Sequence, residues 1–280
     1  MTSVIDHECF EPIHAAHAID QVAFIVLFDN LIDDDAFAYV KEISERFSDE
    51  LPGKHHIKQQ GISIPIGGQA PAIQHPLTDM GLIRRSVSRD STLEAELRIE
   101  RSSVTFLTTR YTRWNAIWGQ ASSYFNAILT TYFANANLIA VGLNYVDKFI
   151  WKGNLEHCNS KLLIQENSKY ICKHVFETNE LWHSHTGAFI RIDEITKRLL
   201  NINIDCLNET IEENDKRVVS ITTSVTDQFN QPFYLPYLDD DNSIAMIDNH
   251  MQNMHIFGKD ILSQLITEHM SKRIALIQTS

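Results

Sequence analysis

Between Arg110 and Asp147 the chain reads without a break as strand end, helix and buried strand, and this succession limits the available folds more than any other stretch. Trp114, Ile117, Trp118, Ala121, Phe125, Ile128, Leu129 and Tyr132 recur at intervals of three and four residues, which puts them on one side of an α-helix. Thr112 is the expected N-cap, since its hydroxyl can accept from a backbone N–H of the first turn. A face this wide and aromatic has to lie flat on a sheet, and helical spacing of large rings points to core rather than to a cofactor lining. The run Leu138 to Asp147 supplies a buried strand directly after it.

Other segments extend the sheet. Gln21–Phe28 is an apolar run of strand length, and Gly61–Ile66 alternates like a half-buried strand. Arg84–Glu100 and Ser103–Thr109 read as paired strands, with Leu93, Ala95, Leu97 and Ile99 on one face and Glu94, Glu96, Arg98 and Glu100 on the other. Tyr170–Phe176, Leu181–Ile190, Arg198–Leu207 and Arg217–Phe229 read as four more strands, the last two separated by the acidic loop Glu209–Asp215. Consecutive strands with short links imply an antiparallel meander rather than βαβ units.

Asp33-Asp34-Asp35 marks a helix start reaching about Phe47, because carboxylates there accept free N–H groups and oppose the positive end of the helix dipole; capping explains them without a divalent metal. Ile247, Met251, Met254, Ile261 and Leu265, with Phe257 beside them, stripe a closing helix, with a break near Thr267. The expected fold is α+β, antiparallel sheet packed against two long helices, Thr112–Phe133 and Ser243–Ile277, in one compact domain 1–280 with a soft subdivision near 152–160.

The chain has 280 residues, 44% of them hydrophobic, enough for a substantial core without staples. A net charge of −12 disfavours non-specific binding of nucleic acid. Cys9, Cys158, Cys172 and Cys206 form no paired-cysteine motif, the start shows no basic region before an apolar run, and no run spans a bilayer. These features lead us to expect a cytoplasmic protein with no membrane association. Gly67-Gly68 opens no helix and lacks a following Lys-Ser/Thr, so it is no phosphate loop.

Pro12-Ile13-His14-Ala15, Tyr111-Thr112-Arg113-Trp114, Gly142-Leu143-Asn144-Tyr145-Val146-Asp147 and the terminal helix from Phe257 to Ile266-Thr267 resemble the motifs of a sporadically distributed family of bacterial and archaeal proteins without settled activity. That family shows Pro-Ile/Leu-x-Glu-Ala, Tyr-Thr-x-Trp and Gly-Leu-Arg-Tyr-Ile-Asn at the corresponding places. Asn144 stands where the family pattern has Arg, and Asp147 where it has Asn, which would weaken any anion-binding role of those two positions. The sporadic distribution implies a mobile-element or phage-defence context and leaves the chemistry open.

Three functional readings follow. The first is a non-catalytic protein that binds a protein partner as an accessory or regulatory component of a bacterial operon, with no cofactor. Large apolar side chains would then hold helices on the sheet, leaving the outer surface to work. The second places zinc on a hairpin formed by Cys172, His174, His183 and His185, in an enzyme or sensor, provided that a two- or four-residue loop puts all four on one face. His157-Cys158 is a weaker nucleophile pair, because adjacent residues point apart. The third uses the arginine-rich stretch 84–113 to meet a phosphate backbone; its bland counterpart is cross-strand Arg/Glu pairing. Candidate binding residues are Arg98, Arg101 and Arg110, together with Tyr111, Asn144, Tyr145 and Asp147 if one cleft gathers them.

Overall fold

A computed structural model describes residues 9–63, 73–211, 213–233 and 240–276. The Gly67-Gly68 loop, the first eight residues, the stretch 234–239 and the end of the last helix at Ile277 lie outside the described residues. Strands β1 (Phe10–Pro12), β2 (Ile19–Phe28), β3 (Gly53–Ser63), β4 (Ile73–Val87), β5 (Leu93–Glu100), β6 (Ser103–Thr108), β7 (Leu138–Trp151), β8 (Trp182–Arg191), β9 (Thr196–Ile211) and β10 (Asn214–Phe233) form one sheet. Its order is β3-β4-β5-β6-β2-β7-β10-β9-β8, β1 continues the β2 side of β7, and all pairings are antiparallel. Helices α1 (Asp34–Ser44), α2 (Trp114–Phe133), α3 (Asp240–Leu265) and α4 (Glu268–Arg273) complete the fold. The chain is therefore α+β with a large antiparallel sheet, and among the described residues three helices of at least seven residues stand where two long ones were expected.

Register carries one buried face across the sheet. Leu97 on β5 opposes Phe106 on β6, Phe106 opposes Phe24 on β2, Phe24 opposes Leu143 on β7, and Leu143 opposes Val225 on β10, which opposes Leu200 on β9. All six are buried. Because side chains alternate along a strand, β7 gives this face Leu143, Tyr145, Asp147, Phe149 and Trp151, and turns the half-buried Asn144, Val146 and Lys148 to the other. Helix α2 lies on the buried face as its stripe requires: the rings of Trp114 and Trp118 sit 5.8 and 5.3 Å from Phe24, and Tyr124 sits 5.2 Å from Phe106. Trp114 Nε1 donates to Gln252 of α3 at 2.7 Å, tying the two helices together. Ile247, Met251, Met254, Ile261 and Leu265 are the buried stripe of α3, as their spacing predicts.

Several local expectations change. The N-cap of α2 is Arg113, in extended conformation and without a side-chain hydrogen bond, rather than Thr112. The stretch 84–100 is two strands divided by a turn at Ser88–Thr92, where Ser91 adopts φ 68°. The acidic loop shrinks, because β9 and β10 pair as far as Ile211 and Asn214. Tyr170–Phe176 forms no strand: Lys173–Phe176 is a 3-10 turn that buries only Val175, with Cys172 N–H donating to Ser184 Oγ at 3.2 Å. Lys173 and His174 flank Val175 with exposed polar side chains, so the segment has little apolar surface to bury as a strand. Asp33 caps α1 by accepting from Ala36 N–H at 2.8 Å, and Thr267 caps α4 after a break, both as read from the sequence. Within and just beyond residues 152–160, Cys158, Leu163 and Ile164 join the same core as the sheet face.

One polar cluster lies within this face. Arg198 and Asp227 are directly opposed on β9 and β10, bonded bidentately at 2.7 and 2.8 Å, and His250 of α3 reaches the same carboxylate at 2.8 Å. The Arg198 guanidinium also lies 5.0 Å from the Phe257 ring. Charges this deep persist only when paired.

Candidate functional site

The buried face of β7 ends toward Asp147 in a gap between the start of α2, the second half of α3 and the residues after α4. The gap is a cavity of about 620 Å³, lined by Ala16–Ile19, Tyr111–Asn115, Tyr145, Asp147, Thr223, His255, Gly258, Lys259, Leu262 and Ile274–Leu276. Alternation on β7 directs Tyr145 and Asp147 into it, and register sets Thr223 of β10 beside Tyr145. Gly258 of α3 faces the Tyr145 ring, and a Cβ there would lie 3.9 Å from it, in ordinary contact.

Aromatic side chains make much of the wall. The His255 imidazole lies flat on Trp114, with centroids 4.1 Å apart and planes within 1°. Tyr145 is edge-on to Tyr111 at 6.3 Å, and Tyr111 is edge-on to His17 at 5.4 Å. The Tyr145 hydroxyl lies 2.9 Å from His255 Nδ1. Burial, and then the nearby Lys259 charge, push His255 down to about 4, while burial raises Tyr145 well above the phenol range, so this hydrogen bond joins two neutral groups at pH 7.

Asp147 sits at the floor, only 3% exposed, and burial alone pushes its carboxyl up to about 7. Among the described residues its Oδ1 has no hydrogen-bond partner, and neither has Thr223 Oγ1. Tyr111 is pushed up to about 12 by burial and then by the charge of Asp147. His17 Nδ1 is a third such atom among the lining residues, and a buried polar atom left unmatched costs about 1–3 kcal/mol. At the mouth, Arg113, Asn115 and Lys259 are exposed. The arrangement places a carboxyl that changes protonation near neutrality beneath an aromatic wall and a cationic rim.

This geometry sets an interior site beside the expectation that the outer surface is the working part. Of the four residues sought in one cleft, Tyr111, Tyr145 and Asp147 meet there; Asn144, one residue out of phase, faces the opposite side of the sheet, opposite Ser224. His17, Arg113, Thr223, His255 and Lys259 were missed. One signal was available for α3, where His255, Gly258 and Leu262 recur at helical spacing on a single face.

The arginines of the basic stretch lie elsewhere. Arg98 pairs with Glu96 and Glu100, Arg110 with Glu94, and the buried Arg84 with Glu45. Arg101 is 9% exposed: it donates to the carbonyls of Asp79 and Ile32 at 2.8 and 3.0 Å, meets Asp34 at 2.5 Å, and lies 4.8 Å from the Phe37 ring. Each of these cations is paired within the chain, Arg84 and Arg101 in the interior and Arg98 and Arg110 at the surface. Arg101→Glu is accordingly expected to lower stability by roughly 1–3 kcal/mol, while Arg98→Glu stays within about 0.5 kcal/mol, as read by urea unfolding. Equal effects would remove the distinction between them.

Cys172 and His174 lie on the 3-10 segment and its approach, whereas His183 and His185 project from β8, with Nδ1 at 2.7 Å from Asp205 and 3.3 Å from Asn203. The hairpin that would have joined the four does not form. Among the described residues, no three His, Cys, Asp or Glu side chains group as a metal site. Cys158 is buried against Cys206, away from the solvent a nucleophile would need.

Fold and site together define an antiparallel-sheet α+β protein with a polar-floored, aromatic-walled cavity under its helices. No protein-family model, curated protein or solved structure matches the chain. Among the described residues, no helix is long and apolar enough to cross a membrane.

Proposed function

We propose that this chain is a non-catalytic binding protein whose receptor site is the Asp147 cavity, serving as the sensing part of an accessory or regulatory system. The observation that carries the reading is the set of unmatched buried polar atoms, His17 Nδ1, Asp147 Oδ1 and Thr223 Oγ1, on residues lining one cavity large enough for a small molecule. A ligand that supplies N–H or O–H donors there removes a cost the empty fold bears. The aromatic wall adds contact area from Tyr111, Trp114, Tyr145 and His255. The accessory role accords with the family resemblance, and partner binding then becomes the output of an occupied cavity.

A fragment library of neutral, cationic, anionic and zwitterionic molecules tests this by thermal shift and saturation-transfer NMR. Gly258→Trp supplies the control, because the indole fills the cavity while helix propensity improves at that position. We expect fragments that stabilise the natural chain, by about 2.7 kcal/mol at a hundred times Kd, and fail to stabilise Gly258→Trp. If every binder acts equally on both proteins, the cavity is not the receptor site.

A further inference from the structure

Resting on that reading, we infer that the cavity takes a small amphoteric molecule, with an ammonium group against Asp147, an anionic group at the mouth where α2 begins, and a planar or apolar body along the aromatic wall. The two ends of the cavity differ in sign. The floor presents the buried Asp147 with its unmatched Oδ1, and the unmatched Thr223 Oγ1 lies on the neighbouring strand opposite Tyr145. An ammonium group there offers three donors and a compensating charge, and so answers the unmatched Asp147 oxygen.

The mouth is built for the opposite sign. Helix α2 runs 20 residues, has no acidic residue in its first turn, and receives no side-chain cap from Arg113. Ala116 and Ile117 N–H donate to the Arg113 carbonyl, which leaves Trp114 and Asn115 N–H without a carbonyl inside the helix to receive them. Both residues line the cavity, so these donors and the positive end of the helix dipole lie at its opening. Arg113 and Lys259 add full positive charges on either side. Among the described residues neither is ion-paired, in contrast to Arg84, Arg98, Arg101 and Arg110.

The same charges select against other classes. A molecule carrying only positive charge meets Arg113, Lys259 and the helix terminus on entry; one carrying only negative charge ends beside the Asp147 carboxylate. A neutral molecule leaves one end or both uncompensated. Only a molecule with both charges is attracted at each end, so repulsion as well as attraction sets the specificity. Tyr111 and Tyr145 line the same cavity, and the Asp147 charge reaches both phenols, whose oxygens offer further acceptors to an ammonium group.

Two matched sets of probes test this by titration calorimetry on the full chain at pH 7.5. In the first, phenylalanine is compared with phenethylamine and 3-phenylpropionate; in the second, 4-(aminomethyl)benzoate is compared with 4-methylbenzylamine and 4-methylbenzoate. The sets place the two charges close together and far apart on similar bodies. The expected result is that at least one zwitterion binds ten-fold or more tightly than both of its truncated relatives. Lys259→Glu should then reduce the advantage over the amine, and Asp147→Asn the advantage over the acid. If an amine or an acid binds as tightly as its zwitterion, with binding lost in Gly258→Trp, the amphoteric assignment falls and the receptor cavity stands. If none of the six binds while library fragments still bind in a Gly258→Trp-sensitive way, the assignment again falls alone. If nothing binds in that way, both fall.

Discussion

Asp147→Asn stabilises the protein at pH 8 by up to about 4 kcal/mol, and the gain vanishes below about pH 4. The magnitude follows from a carboxyl raised by burial from its ordinary 3.8 to about 7. The sign is that of a raised carboxyl. Between the two values the folded chain holds a proton that the unfolded chain releases, so folding is favoured at low pH and loses stability as pH rises toward 7. Above 7 the folded protein carries an uncompensated buried charge, and the amide carries none. Urea unfolding of both proteins from pH 4 to 8 reads the difference directly. Curves that stay parallel across this range would mean that the carboxylate already has a compensating charge, and the cavity would lose its main claim to a ligand.

Asp227→Ala has the opposite effect, a loss of about 3–5 kcal/mol near neutral pH, because it leaves the Arg198 guanidinium buried beside an empty place and removes the acceptor of His250. Burial works to raise the Asp227 carboxyl, but hydrogen bonds and charge from Arg198 and His250 outweigh it and hold it below the usual carboxylate range. Its contribution is therefore present above the ordinary carboxylate pKa and is lost as pH falls through the lower folded value. Replacing both partners, Arg198→Met with Asp227→Leu, should cost less than Asp227→Ala alone, since no charge is then stranded. Equilibrium unfolding of the three proteins measures this; a single variant milder than the double would show that the pair is not what holds this region.

These two aspartates stand on one sheet face and differ in what opposes them. Asp227 has a cation directly across the strand pair, and Asp147 has Ile221. Nothing near either residue in the sequence announces the difference, because Arg198 is 29 positions from Asp227 and reaches it only through the hairpin register.

What could be read in advance was whatever depends on neighbours in the chain. The aromatic period of α2, the stripe of α3, the alternation of β5, the cap at Asp33 and the break at Thr267 follow from repeat length and from side chains that satisfy nearby N–H groups. The Tyr111-to-Asp147 stretch also drew notice, although Asn144 was grouped with residues from which the two-residue strand period separates it. The strand over Tyr170–Phe176 was misread because its few apolar residues resemble a strand, while pairing is decided by partners elsewhere. The arginines of 84–113 read as a surface, yet Arg101 turns inward to carbonyls supplied by Ile32 and Asp79.

By itself, then, the sequence determined local conformation and the apolar face each element turns to its neighbours, because repeat length and capping act within a few residues. Tertiary structure alone decided that a carboxylate of β7, a hydroxyl of β10, an imidazole of α3 and the N-terminus of α2 surround one cavity. Desolvation and hydrogen-bond matching depend on which distant groups arrive together, and a linear pattern does not specify that.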